Sequence, residues 1–168
     1  MSEVTRILNH YDSVLNGAPW HGDAIWQVLA GISAETAAAR PLQGSHTIWE
    51  IVMHMTFWEG VATQRLVGQP AGLVEALNFP AMPAASEENW TQTLDQFHAS
   101  NQNLRAALAK LDAARLDELT AAAKRTYYGE AHGVIEHTVY HAGQIVLLLK
   151  MNGSTNRATS RTGFLHPR

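Results

Sequence analysis

Residues 132–149 read HGVIEHTVYHAGQIVLLL, and their repeat is that of a helix. Val134, His137, His141, Gln144 and Leu148 fall three or four positions apart, so they stand in one line down one face. Such a line is the seam that a bundle buries, yet two of its members are histidines. Each imidazole carries two polar ring nitrogens, and placing two rings side by side in a core without a partner is costly. The stretch therefore calls for neighbouring helices and for something that satisfies the rings. Asn152-Gly153 supplies a C-terminal stop, and the helix is expected to begin near Gly129.

Working outward, the same period recurs three times. Ile7, Tyr11, Val14 and Leu15 share one helical face, and Asn16-Gly17-Ala18-Pro19 then breaks the helix near 16–20. A second piece is expected beyond the break, with Trp20, Ala24, Val28 and Ile32 in register, and Ser33 with Thr36 marks a further short turn before Pro41. Residues 46–68 predict the next long helix. Thr47 with Glu50 three positions on is the capping-box pattern, and Ile51, His54, Met55 and Trp58 share a face. Gly68-Gln69-Pro70 ends it. Ser86, Asn89 and Trp90 open the third long helix, whose stripe runs Trp90, Leu94, Phe97, Asn101, Leu104, Leu108 and Leu111. The polar member, Asn101, is either a buried amide that sets register or a hydrogen-bonding group facing a central cavity. The expectation is an all-α four-helix bundle over residues 1–152, with one long connection at 69–85 and a polar tail over 153–168. A connection of that length without periodicity is expected to lie over a binding site.

Charged residues are 16% of the 168 and apolar residues 46%, against about 25% charged in an ordinary soluble domain. So thinly charged a surface predicts a covered apolar face, and hence a homodimer. The net charge of −3 and the scatter of basic residues argue against nucleic acid as a partner. No run approaches the ~18 apolar residues of a membrane span, and the N-terminus lacks a signal-peptide pattern, so no membrane association and a cytoplasmic location are expected. The chain has no cysteine. Any bound metal must then be held by nitrogen or oxygen.

Four residues turn a helix by about 400° and raise it by about 6 Å, so His137 and His141 project from one side and can meet one ion. His54, inward with Ile51 on another helix, provides a third nitrogen. Three imidazoles leave positions open for water or substrate, as catalytic metal sites do. The intervening Thr138, Val139 and Tyr140 lack the glutamate of a zinc-peptidase motif. His132 is rotated about 140° from His137 and is not expected to be a ligand. His10, His46, His98 and His166 show no pattern and read as surface or loop residues.

The segments SHTIWEIVMH (residues 45–54) and HGVIEHTVYHAGQI (residues 132–145) resemble the DinB-like superfamily, specifically its YfiT-like branch. Trp20-His21-Gly22, Asn78-Phe79-Pro80 and the helix of Trp90 match that branch in order and spacing. The resemblance implies a four-helix bundle, frequent dimerisation, and a nickel or zinc ion on His54, His137 and His141. It also implies more than one activity, since members include thiol transferases and isomerases that use low-molecular-weight thiols, and others described as metal-dependent hydrolases.

Two readings of function follow. In the first the chain is a metal-dependent hydrolase or a thiol-dependent transferase acting on a small-molecule substrate, with a divalent transition metal and a low-molecular-weight thiol as cofactors. Candidate orienting or proton-handling groups are Gln144, one turn from His141, Glu50, one turn before His54, and His21, which is alternatively a helix cap. In the second the metal only ties two helices together, in a stress-response or interaction bundle without catalysis.

Overall fold

The computed structural model describes residues 1–72, 74–122 and 124–153. Four long helices build it: α1 (Glu3–Asn16), α4 (Ile48–Leu66), α6 (Glu87–Ala109) and α7 (Tyr127–Met151). Three short ones lie between them, α2 (Ile25–Leu29), α3 (Ala34–Ala38) and α5 (Glu75–Asn78), with a single 3-10 turn at Ala113–Arg115. No strand occurs among the described residues. Each of α1 and α4 packs beside both α6 and α7, so α1 and α4 sit diagonally across the bundle.

The capping chemistry read from sequence sets the helix starts. The Thr47 hydroxyl accepts the Glu50 amide while the Glu50 carboxylate accepts the Thr47 amide, two otherwise orphaned donors satisfied reciprocally. Ser86 caps α6 by accepting the Asn89 amide, without the reciprocal bond, and Thr126 likewise accepts the Gly129 amide, so that α7 starts at Tyr127, two residues before the start expected near Gly129. Gly68, at φ 85°, ends α4 in the left-handed region that a side chain disfavours. The apolar stripes then meet: Trp49 of α4 and Trp90 of α6 pack at 5.1 Å between ring centroids. Their indole N–H groups donate to Thr93 Oγ1 and the Ile32 carbonyl, so neither buried ring leaves a polar atom unsatisfied.

Two expectations need correcting. The piece after the first break does not start at Trp20, which is 93% exposed; only Ile25–Leu29 is helical. Pro19 and Gly22, the latter at φ 130°, hold the preceding residues in turns, although Ala24, Val28 and Ile32 are buried as their register requires. The connection at 69–85 is not wholly irregular either, since α5 lies within it. The polar tail expected over 153–168 falls, apart from Gly153, outside the described residues, as does His166. No helix among the described residues is long and apolar enough to cross a membrane.

The bundle centre holds a polar cluster. Tyr11 of α1 donates from its hydroxyl to Glu59 of α4 at 3.0 Å, bridging the diagonal pair, and the Asn101 amide of α6 donates to both Glu59 oxygens at 3.0 and 2.8 Å. Trp26 of α2 completes it by donating to Asn101 Oδ1. Of the two readings of Asn101, the structure therefore shows a buried amide that cross-links three elements.

Candidate metal centre

α4 contributes His54 and α7 contributes His137 and His141, and one ligand nitrogen from each lies within 4.8 Å of the others. His54 Nε2 is 3.1 Å from His137 Nε2, which is 3.0 Å from His141 Nε2. His54 and His141 are buried and His137 is half-buried. On His54 and His141 the other ring nitrogen is committed. His54 Nδ1 lies 2.7 Å from the Asn78 carbonyl oxygen, an atom that can only accept, so Nδ1 carries the proton. His141 Nδ1 lies 2.6 Å from Gln144 Oε1 and donates to it likewise.

This fixes the chemistry of the third atom set. With Nδ1 protonated on His54 and His141, both Nε2 atoms present lone pairs to a point where His137 Nε2 also arrives. One proton on His137 can satisfy one of these lone pairs and leaves the other facing a nitrogen without a hydrogen bond. A cation satisfies all three at once, and two nitrogen ligands at ~2.1 Å from one ion stand about 3.0–3.4 Å apart; the His54–His137 and His137–His141 pairs are at that separation, and the set as a whole spans 4.8 Å. The donor set thus fits a divalent transition metal. Burial, with the neighbouring rings, pushes His137 down to about 3, and burial first pushes His141 down to about 4 and lowers His54, so the rings are neutral and ligand-ready at neutral pH.

The 69–85 connection lies at this end of the bundle. Trp58 donates its indole N–H to Asn78 Oδ1, pinning the loop, and Phe79 stacks on His54 with 4.1 Å between centroids. On the other face of Phe79 lies His46, at 3.6 Å and parallel. His46, exposed and in a loop as read from sequence, also borders the same cleft. That cleft, about 840 Å³, opens between α4 and α7 with the three histidines on its wall.

The remaining candidates separate. Gln144 is at the site, bonded to His141. Glu50 is engaged at the start of α4: burial works to raise its carboxyl, but the Thr47 amide and Arg40 outweigh this and hold it below the ordinary value. His21 is exposed and borders a different groove with Trp20 and Tyr140. His132 lies outside the trio, as its phase requires; its ring sits 4.3 Å from Tyr128, and its Nε2 is buried without a hydrogen bond among the described residues. Sequence reasoning missed Glu59 and the Arg65–Glu130 pair, which is 3.0 Å apart and nearly buried on both sides. A signal existed for Glu59, since it stands four residues after Met55 and three before Ala62 on the buried face of α4.

The family model described as the DinB superfamily matches residues 20–145. No curated protein and no solved structure gives a match. The matched span reaches from the turn before α2 into α7 and includes all three histidines, and the chain belongs to the DinB superfamily.

Proposed function

We propose that His54, His137 and His141 hold one divalent transition metal, nickel or zinc, and that the chain is a metal-dependent hydrolase or thiol-dependent transferase. The observation that carries this reading is the convergence of three Nε2 atoms on the wall of an open cleft, with two of the three Nδ1 protons already spent on fixed acceptors. A bound metal supplies Lewis acidity, lowering the pKa of a water or thiol that approaches it toward neutrality. The chain's own residues do the rest. Asn78 and Gln144 hold their histidines in one tautomer and orientation. Phe79 and Trp58 screen one side of the rings from solvent, and the cleft admits substrate on the other. The competing reading, a metal that only ties α4 to α7, gives no account of a cleft of this size beside the ligands.

The test of activity is hydrolysis of ester or amide substrates, or consumption of a small thiol with an electrophile, by zinc- or nickel-loaded protein. Loss of the reaction in His137→Ala is expected; an undiminished rate in that variant contradicts the proposal. A second prediction concerns Gln144. Groups that orient metal-binding histidines are typically worth 10–100-fold in affinity, so Gln144→Leu is expected to weaken metal binding by about that factor, measured by competition with a chelator. Unchanged affinity contradicts the orienting role.

We also propose a homodimer. Tyr140, Leu147 and Met151 recur at helical spacing on α7 and are 64%, 56% and 44% exposed, with Trp20 bordering the groove beside Tyr140. An apolar stripe of this kind on a sparsely charged chain is suited to cover by a second copy. Light scattering is expected to report a dimer at micromolar concentration and a monomer for Leu147→Lys. A wild-type monomer at high micromolar concentration contradicts it.

A further inference from the structure

The cleft beside the histidines has a second, charged end. Along α4, Arg65 follows His54 by eleven residues, which is about 16 Å of helical rise, and along α7, Glu130 precedes His137 by seven, about 10 Å. Between them the lining includes small residues, Ala62, Gly129 and Gly133, and a Cβ added at Gly133 meets no atom within 4 Å. At the far end this cleft runs into a second one of about 660 Å³, sharing Trp58, Arg65, Arg125 and Glu130 with it.

That junction is electropositive in a chain of net charge −3. Three cations, Arg65, Lys124 and Arg125, border it against one acid, Glu130. Arg65 is bound to Glu130 at 3.0 Å and donates from Nε to the Ala71 carbonyl, which fixes its guanidinium in place. Lys124 and Arg125 have no ion pair among the described residues. The other acid on the wall, Glu136, also borders the groove of Trp20 and His21. A separate observation points to a ligand at the same place. Thr120, 97% buried by its 3% exposure, lines the second cleft, and its Oγ1 has no hydrogen-bond partner among the described residues. A buried hydroxyl left unpaired is costly, and an oxyanion among three cations is a partner it can donate to.

We propose that the cleft takes an elongated small molecule whose reacting group lies at the three histidines and whose oxyanion, a carboxylate or a phosphate, lies among Arg65, Lys124, Arg125 and Thr120. This rests on the metal-site reading above. The separation of the two ends sets a length requirement: a short acid cannot reach both.

The test uses cobalt-loaded full-length protein and follows the visible cobalt bands during titration with thiols, whose sulfur binds the metal. Mercaptoundecanoate and its phosphonate counterpart are compared with mercaptoundecanol and with mercaptoacetate. A charge-assisted hydrogen bond contributes about 1.5–3 kcal/mol, so the long oxyanionic thiols are expected to bind at least about tenfold more tightly than the long alcohol. The carboxylate and phosphonate arms report which oxyanion is preferred. Lys124→Gln with Arg125→Gln, both exposed and outside the core, is expected to erase that preference while leaving the affinity for mercaptoundecanol and mercaptoacetate unchanged. Equal binding of long acid and long alcohol, or a preference that survives the double substitution, overturns the proposal and leaves the metal site standing. Failure to take up cobalt overturns the metal-site reading and this inference together, and bands that no thiol perturbs overturn this inference alone.

Discussion

His137→Ala or His141→Ala is expected to abolish stoichiometric metal and to lower the melting temperature of the purified protein by roughly 10 °C. A ligand that binds only the folded state stabilises it by RT ln(1 + [L]/Kd), about 4 kcal/mol at a thousandfold excess over Kd. In a domain of this size ~1 kcal/mol corresponds to roughly 2–4 °C. The three histidines join α4 to α7, so this stabilisation acts between the helices that form the cleft. A chelator added to the unaltered protein is expected to produce the same shift, and no further shift in either variant. His132→Ala is expected to retain full metal content, because its ring packs against Tyr128, away from the trio. A His132→Ala protein devoid of metal contradicts the assignment of ligands.

Glu59 is the other position with a large expected effect. Glu59→Ala removes the acceptor of the Tyr11 hydroxyl and of the Asn101 amide in the bundle centre. Each buried donor so orphaned costs about 1–3 kcal/mol, and a loss of about 3 kcal/mol or more is expected in urea unfolding. The pH dependence gives a sharper test. Burial raises the Glu59 carboxyl to about 7, with the hydrogen bonds from Asn101, Ser100 and Tyr11 offsetting only part of the shift. A folded-state pKa above the unfolded value means that the contribution is complete below about pH 4.5 and is lost as pH rises through 7. The histidines slope the other way, since their folded values lie below 6.5: in metal-free protein, stability falls as pH drops from 6.5 toward 4. Comparing Glu59→Gln with the parent at the same pH cancels the histidine contribution. The two are expected to match near pH 4, and the variant is expected to be the more stable at pH 8.5, by on the order of 3 kcal/mol. A variant less stable than the parent at pH 8.5 contradicts this account of the cluster.

The elements most legible in the sequence were those governed by local chemistry. Thr47 with Glu50, Ser86 ahead of Trp90 and Asn152-Gly153 each place a helix end by a hydrogen bond or a backbone preference that spans a few residues. The three histidines were legible for the same reason: His137 and His141 are four apart on one helix, and His54 stands in phase with Ile51 on another. What the sequence concealed depends on contacts between distant segments. His46 carries no periodic signal, and it reaches the cleft only because Phe79, thirty-three positions later, stacks between it and His54. The acceptor for His54 is a main-chain carbonyl, that of Asn78, which no side-chain pattern encodes. Glu59 and Glu130 occupied buried phases of their helices, but a lone acid in an apolar stripe reads as a helix edge until its partners on other helices are known. The break after α1 was visible in Asn16-Gly17-Ala18-Pro19, whereas the exposure of Trp20 was not, because its large apolar ring fits an inward register equally well.

The most direct test is elemental analysis of protein purified without a polyhistidine tag, combined with melting curves before and after chelation. The account predicts one nickel or zinc ion per chain, its loss on chelation with a fall in melting temperature, and its absence from His137→Ala. Metal-free protein that takes up no nickel or zinc, with a melting curve that neither chelator nor added metal alters, would contradict it and leave His54, His137 and His141 as buried imidazoles satisfied by the protein alone.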